Sequence, residues 1–172
     1  AWTMMYDYQR QRVLTLLDPS SDPLGAGFHT IQAIIAIGSG GIVGKGWMNG
    51  TQAHLDFIPE RTSDFLFAVY SEEFGFLGDV GLLILYSALI FRTLYIACRA
   101  KTLFERLIAG AIAAIFLMYS FVNMGMVSGI LPVVGVPLPF MSYGGTAFLI
   151  LGICCGLLMR ISAGSRRRPR KK

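Results

Sequence analysis

The sequence predicts an all-α polytopic membrane protein fragment, in which about three transmembrane helices follow an extracytoplasmic loop region with short interfacial helices. Two observations indicate this fold. Hydrophobic residues make up 54% of the 172 residues, above the roughly 45–50% of a typical soluble domain. From residue 107 to residue 159 the chain also contains no Asp, Glu, Lys, Arg or His. Because one span needs roughly 20 apolar residues, this run is long enough for two spans and a turn.

The charged residues divide the chain into an acidic first part and a basic second part. Residues 1–79 contain four Lys or Arg and nine Asp or Glu, for a net charge of −5. Residues 80–172 contain eleven Lys or Arg and one acid, for a net charge of +10. Since cytoplasmic loops collect Lys and Arg, we expect a cytoplasmic C-terminus and an external first part. The basic tail fits anionic membrane lipid better than nucleic acid, so no nucleic-acid partner is expected.

Helix breakers and segment lengths divide the chain into three predicted parts. Prolines in residues 128–142, which we call the proline loop, deny backbone N–H groups to a helix and end the second span. The apolar residues 31–43 are too few to cross a bilayer, which is typical of an interfacial or re-entrant segment. We expect the chain to be the C-terminal piece of a longer protein, because it has neither an initial Met nor a signal sequence. The predicted parts are an extracytoplasmic region (1–75), a three-span region (76–161, with spans at about 76–98, 107–127 and 143–159) and a basic tail (162–172).

Asp64 is the most informative polar residue, because it lies where a polar loop turns into a hydrophobic helix. A reactive acid at a membrane boundary suits a substrate with its tail in lipid and its head in water. A single carboxylate can act as general base for a hydroxyl group if it can reach that proton. The alternative is structural, since Thr62, Ser63 and Asp64 directly precede an apolar run and such residues commonly cap helices. The pattern alone favours the cap.

Two other segments have unusual sequence at the predicted outer surface. Residues 38–46, GSGGIVGKG, lack the first Gly and the final Ser or Thr of a phosphate-binding P-loop, so nucleotide binding is not expected. Lys45 either meets an anionic headgroup or is a surface lysine beside lipid, and the sequence leaves both open. Ser142 and Gly144 open the third span, where the non-helical backbone either lines a cavity or forms a plain turn between spans.

Several long motifs, in order, resemble the SEDS family, the shape, elongation, division and sporulation proteins of bacteria. The motifs are YQRQR (8–12), DPLGAGFH (22–29), IQAIIAIGSGGIVGKG (31–46), GTQ (50–52), IPERTSDFLFAVYSEEFG (58–75) and GILPVVGVPLPFMSYGG (129–145). The similarity covers nearly the whole chain. Division-type members often carry Lys in the proline loop where this chain has Val134, which favours the elongation type.

The resemblance implies a ten-span peptidoglycan glycosyltransferase of the bacterial inner membrane, of which this chain holds the last three spans. Such enzymes polymerise lipid II, a disaccharide-pentapeptide on undecaprenyl pyrophosphate, for cell elongation and rod shape. The family's essential aspartate follows a PE-x-x-x-D pattern, which here begins at Pro59 and ends at Asp64. Asp64 is therefore the predicted catalytic base, on the periplasmic side. Many members have His-Thr before it, whereas this chain has Thr62-Ser63, so assistance from a histidine there is not expected.

The resemblance also implies an inverting transfer with a pyrophosphate leaving group, whose charge needs cations. The predicted substrate-binding residues are Arg10, Arg12, Lys45, Glu60, Arg61, Ser142 and Gly144. Either no cofactor or a divalent cation such as Mg²⁺ or Mn²⁺ is expected. The implied partners are lipid II, a class B penicillin-binding transpeptidase, the elongation machinery and membrane lipids. Two other functions stay open, a lipid II flippase that does no chemistry and a non-catalytic scaffold for the transpeptidase.

Overall fold

The structure, a computed structural model, describes residues 12, 14, 26–50 and 63–166. In this part of the chain the regular elements are α-helices, with no strand: α1 (Ala26–Gly40), α2 (Leu66–Arg99), α3 (Leu103–Val127) and α4 (Gly145–Arg166). Helices α2, α3 and α4 are long and apolar enough to cross a membrane. The prediction of an all-α membrane protein with three spans is confirmed. The predicted site residues Arg10, Glu60 and Arg61 lie outside the described residues.

Helix α1 has 15 residues, which corresponds to about 22 Å of rise against a bilayer core of roughly 30 Å. It begins before the apolar segment predicted from residue 31 and ends at Gly40. The next residue, Gly41, has a φ of +58°, the left-handed conformation in which many helices end. The helix is too short to span a bilayer, in agreement with the sequence, and its interfacial position stays a prediction.

Helix α2 is interrupted at Gly75, whose backbone angles (φ 65°, ψ −166°) lie outside the helical region. Ser71 Oγ donates a hydrogen bond to Asp79 Oδ1 at 2.7 Å. On a straight helix, residues eight apart are separated by about 12 Å of rise. Residues 66–74 therefore fold back along the beginning of residues 76–99, and α2 consists of a short segment followed by a spanning segment.

The spanning helices lie close to their predicted positions. The spanning segment of α2 corresponds to the span predicted at 76–98. Helix α3 begins earlier than the predicted residue 107 because Thr102 and Glu105 form a capping box, in which each side chain accepts a hydrogen bond from the other residue's N–H group. Helix α4 continues past the predicted end at residue 159, since a charged residue ends an apolar span but does not end a helix.

Two apolar clusters hold the helices together. The Phe65 cluster, which joins α1, both segments of α2, the end of α3 and the proline loop, consists of Ala33, Ala36, Phe65, Phe67, Ala68, Leu82, Tyr86, Met126, Val127 and Leu138. The Ile112 cluster, which joins α2, α3 and α4 near the short α2–α3 turn, consists of Ala97, Ala100, Ala109, Ile112, Phe116, Leu151, Cys154, Leu158 and Ile161. The small residues in the second cluster allow the helix backbones to approach closely.

The loop after α1 closes the break in α2 with backbone hydrogen bonds. These bonds run from Lys45 N to Glu72 O (3.1 Å), Gly46 N to Glu73 O (3.0 Å), Phe76 N to Gly41 O (2.9 Å) and Leu77 N to Ile42 O (3.1 Å). In an unbroken helix, the N–H groups of residues 76 and 77 would bind the carbonyls of residues 72 and 73. The loop therefore replaces both lost bonds and satisfies all four backbone groups, as backbone surrounded by apolar side chains requires. We call residues 41–46 and 72–77 together the Gly75 turn.

Candidate active site

Asp64 lies two residues before helix α2, at the end of the short segment that folds back from Gly75. The N-cap position falls on Phe65, whose side chain makes no capping hydrogen bond and is buried in its cluster. Asp64 itself is half-buried. A Cβ atom built on Gly135 would lie 3.1 Å from Asp64 Oδ2. The missing side chain at Gly135 therefore leaves room for the Asp64 carboxylate beside the proline loop.

Asn123 connects Asp64 to the proline loop. Its Nδ2 atom donates to the backbone carbonyl of Asp64 at 2.9 Å and to that of Val136 at 2.7 Å. The Asn123 side chain is fully buried, one turn before the end of α3. We call Asp64, Asn123, Gly135 and Val136 the Asp64 junction. In this junction three separate parts of the chain meet at Asp64.

The short segment of α2 carries Asp64 away from the Gly75 turn. Phe67 lines the same groove as Leu83 and Tyr86 of the spanning segment. Asp64 is three residues before Phe67 and is therefore farther along the chain from the Gly75 turn. The sequence placed Asp64 at a loop-to-helix junction, as the structure has it. Its predicted position at the membrane boundary stays a prediction.

The proline loop is held against α2 and folded on itself. The hydroxyl group of Tyr86 donates to Pro139 O at 2.6 Å, in a buried position. Ser142 Oγ accepts from Leu138 N at 2.8 Å, and Ser142 N donates to Leu138 O at 3.1 Å. Irregular backbone that lies among membrane helices has to be satisfied in this way. The loop is therefore a packed part of the protein and not a loose connection between spans.

A cleft of about 560 Å³ lies between the beginnings of α2 and α4. Its lining includes Leu66, Phe140, Ser142, Tyr143 and Gly144. Two of the predicted substrate-binding residues, Ser142 and Gly144, thus share a cleft with Leu66, which is two residues from Asp64. The structure brings Ser142 and Gly144 into one cleft, which Asp64 does not line, and the contacts of all three residues with substrate stay predictions.

Lys45 lies in the Gly75 turn. Its Nζ atom is 2.6 Å from Glu72 Oε1, with the Glu72 side chain fully buried and the Lys45 side chain 28% exposed. Ser39 Oγ is 3.4 Å from the same carboxylate oxygen. Glu72 follows Leu66 by six residues on an uninterrupted helical segment, which is about 9 Å of rise. The structure therefore gives Lys45 a structural partner away from the Asp64 junction, and its role in substrate binding stays a prediction.

Arg12, the other described basic residue of the predicted set, is exposed on a helical part of the chain. Its contact with substrate stays a prediction. In the part of the chain that the structure describes, no group of three His, Cys, Asp or Glu side chains lies close enough to hold a metal ion. The expectation of either no cofactor or a divalent cation stays a prediction.

Sequence reasoning missed the residues that hold Asp64 in place. Asn123 was visible as a polar side chain in an apolar span, and an amide at such a position generally has a specific hydrogen-bonding role. Gly135 and Tyr86 gave no comparable signal. His29 also lies nearby, with its ring centroid 6.3 Å from that of Phe65, and its Nδ1 atom is buried without a hydrogen-bond partner among the described residues.

Comparison with known proteins identifies the family to which this arrangement belongs. A family model of cell cycle proteins, the FtsW, RodA and SpoVE proteins, matches residues 1–167. The chain belongs to this family. The SEDS resemblance drawn from the sequence motifs is therefore confirmed.

The curated relatives are longer than this chain. It is 61% identical over 158 residues to the peptidoglycan glycosyltransferase MrdB of Escherichia coli strain K12, which covers 92% of this chain and 43% of that protein. It is 44% identical over 156 residues to the peptidoglycan glycosyltransferase RodA of Treponema pallidum strain Nichols, which covers 91% of this chain and 36% of that protein. The chain thus spans less than half the length of these relatives.

A solved structure has the same fold. It is a chain of a peptidoglycan synthase complex, studied for the structural coordination of polymerization and crosslinking. The TM-score is 0.74 at 33% sequence identity, and the match covers 97% of this chain and 45% of that chain. The fold of this chain is therefore similar to that of a little under half of the solved chain.

Proposed function

We propose that this chain is the C-terminal, catalytic part of a peptidoglycan glycosyltransferase that polymerises lipid II into glycan strands during cell elongation. The observation that carries the proposal is the Asp64 junction, where a half-buried carboxylate lies against a glycine of the proline loop. Relatives named peptidoglycan glycosyltransferases support the reaction class. The rest of the enzyme would come from residues that precede this chain in the longer protein.

Asp64 acts as the general base in this proposal. It accepts the proton from the 4-hydroxyl group of the acceptor GlcNAc while that oxygen attacks the anomeric carbon of the donor MurNAc. The new C–O bond forms as the bond to undecaprenyl pyrophosphate breaks, with inversion at the anomeric carbon. The electron pair of the broken bond leaves with the pyrophosphate. Because the pyrophosphate leaves as an anion, the reaction needs a base but no acid, and one positioned carboxylate is enough.

The cleft beside Asp64 is the proposed place for the pyrophosphate. Helix α4 begins at Gly145, directly after Ser142 and Gly144, and the first N–H groups of a helix attract anions. Arg10, Arg12 and Arg61 are the proposed cationic contacts. Two further residues are proposed to contact the substrate. Glu60 belongs to the motif that ends at Asp64. Lys45 is the other, and its binding of substrate would compete with its ion pair to Glu72.

The orientation and the partner also belong to the proposal. The Asp64 region faces the periplasm and the basic tail faces the cytoplasm, because the Lys and Arg residues collect at the tail and at the α2–α3 turn. A class B penicillin-binding transpeptidase is the proposed partner. Support comes from the solved relative, which is part of a complex that coordinates polymerization and crosslinking.

The test is glycan-strand synthesis from purified lipid II by the full-length protein with its transpeptidase. Asp64→Asn keeps the size of the side chain but removes the base, so we expect the rate to fall by about 10²- to 10⁴-fold without loss of folding. Asp79→Asn is the matched control, because the amide oxygen of Asn can still accept the hydrogen bond that Ser71 donates at this position, and this variant should keep most of the rate.

Three other results would contradict the proposal. A folded Asp64→Asn protein that still makes long glycan strands would exclude Asp64 as the base. Movement of lipid II across vesicles by the wild-type protein, with no glycan product, would point to a flippase. Normal rod shape in cells that carry only Asp64→Asn would point to a scaffold.

A further inference from the structure

We propose that Asn123 is the positioning residue for the catalytic carboxylate. The proposal rests on the function proposed for Asp64 and adds a second residue, from a different helix, that sets the place of the base relative to the proline loop. Asn123 does not touch the substrate in this proposal. It acts through the backbone of Asp64 and through the backbone of Val136.

The hydrogen bonds of Asn123 require an amide. Both of its partners, Asp64 O at 2.9 Å and Val136 O at 2.7 Å, are backbone carbonyls, which accept and cannot donate. A primary amide has two N–H donors on one nitrogen, one for each carbonyl. An aspartate of the same shape has no donor when ionised and would place a negative charge against both carbonyls. Position 123 therefore requires the amide group itself, and a side chain of the same size without two N–H donors cannot replace it.

One of the two carbonyls belongs to the residue that carries the carboxylate, and the other belongs to the loop beside that carboxylate. One is the main-chain carbonyl of Asp64 itself. The other, Val136 O, directly follows Gly135, and a Cβ on that glycine would lie 3.1 Å from Asp64 Oδ2. A single buried side chain therefore fixes both the residue that carries the base and the glycine that the base packs against. A misplacement of about 1 Å at a reacting group can lower a rate by about 10²-fold.

The environment of Asn123 fits this role. The residue is fully buried near apolar neighbours such as Met126 and Val127, and its Oδ1 atom has no hydrogen-bond partner among the described residues. Burial of an unpaired acceptor lowers stability. An apolar residue would avoid that cost, but it could not hold Asp64 and Val136 together.

The experiment compares kcat and KM for lipid II polymerisation by the full-length protein in complex with its transpeptidase. Asn123→Asp should lower kcat by about 10- to 100-fold and change KM for lipid II less than threefold, because the base moves while the cleft remains. Ser120→Ala is the matched control. Ser120 is buried one turn earlier on the same helix, and its hydroxyl group donates only within the helix, to Phe116 O at 2.7 Å. Its kcat should stay within about twofold of wild type.

A double variant separates positioning from general destabilisation. If Asn123 acts through Asp64, adding Asn123→Asp to Asp64→Asn should lower the residual rate no further, because there is no base left to misplace. A further drop of tenfold or more in the double variant would overturn the proposal. So would a folded Asn123→Asp protein with wild-type kcat. Should Asn123→Asp fail to fold, Asn123→Ala takes its place with the same expected loss of kcat and the same contradicting result.

These outcomes differ from failure of the proposed function. If Asp64→Asn is inactive and Asn123→Asp is fully active, Asp64 is still supported as the general base and the positioning role of Asn123 is wrong. If Asp64→Asn is itself active, the proposed function is wrong whatever Asn123 does.

Discussion

The Gly75 turn and the Asp64 junction both place non-helical backbone among apolar helices, but they complete its hydrogen bonds in different ways. At the Gly75 turn, backbone groups pair with backbone groups in four bonds of 2.9–3.1 Å. At the Asp64 junction, one amide side chain binds two carbonyls, and its own oxygen has no partner among the described residues. The turn is closed by backbone pairs, whereas at the junction the Asn123 side chain joins the two backbone segments.

This difference predicts different consequences of mutation. Backbone pairing and the Lys45–Glu72 ion pair hold the turn together, so steric or charge changes there should lower stability. At the junction a change of one functional group leaves the helices packed through the Phe65 cluster, so it should lower turnover more than stability. The two regions can therefore be separated by measuring both quantities for the same variants.

Gly75→Ala should have the largest effect on stability. Position 75 has a φ of +65°, and a Cβ there would lie 2.3 Å from the backbone nitrogen of Gly44. Strain of about 1–3 kcal/mol from the backbone conformation adds to the loss of backbone hydrogen bonds at about 0.5–1.5 kcal/mol each. We expect the free energy of unfolding to fall by about 3–5 kcal/mol, measured by denaturant titration in detergent.

The control for Gly75→Ala is Gly81→Ala in the same helix. A Cβ at Gly81 meets nothing within 4 Å, and Ala is a better helix former than Gly by about 1 kcal/mol. Gly81→Ala should therefore leave stability unchanged or raise it slightly. Equal losses in the two variants would show that the loop after α1 does not close the break in α2.

Lys45→Met should have the second-largest effect, since it removes the ammonium group that lies beside the buried Glu72 carboxylate. Breaking a buried ion pair from one side costs about 3–5 kcal/mol, and the partial exposure of Lys45 reduces this to about 2–4 kcal/mol. The double variant Lys45→Met with Glu72→Leu should recover most of that stability, as measured by the same titration.

The same double variant also tests the predicted role of Lys45 in substrate binding. If Lys45 only holds Glu72, the double variant should have a wild-type KM for lipid II once its stability is recovered. A KM that stays raised at recovered stability would place Lys45 in the substrate site after all. This measurement separates the sequence-based prediction from the structural role that the ion pair indicates.

The sequence predicted the spans but not how the polar segments between them fold. Spans follow from a local property, the length of an apolar run, and the break at Gly75 agreed with the start of the span predicted at residue 76. The folded-back segment depends on contacts between Ser71 and Asp79 across the break, and no local pattern encodes them. For the same reason Asp64 could be selected from its motif, whereas the fold-back of the helical segment that follows it could not.

The partners of Asp64 were harder still to predict. Asn123 is 59 residues away in sequence, and its neighbours are apolar on both sides. A polar residue in a span indicates a partner but not which one. Gly135 carries no side chain at all, and its value to the site lies in the space that it leaves for a carboxylate from another part of the chain.

Thr102→Ala should have the smallest effect, and it tests the far end of the molecule from the Gly75 turn. Thr102 accepts from Glu105 N at 3.2 Å in the exposed capping box of α3, where water can replace part of the lost bond. Removal of such a cap costs about 0.5–2 kcal/mol, and exposure favours the lower half of that range. Because α2, α3 and α4 remain packed through the Ile112 cluster, kcat for lipid II polymerisation should stay within twofold of wild type. A loss of kcat as large as that of Asn123→Asp would mean that turnover follows overall stability, and the Asp64 junction would then have no separate role.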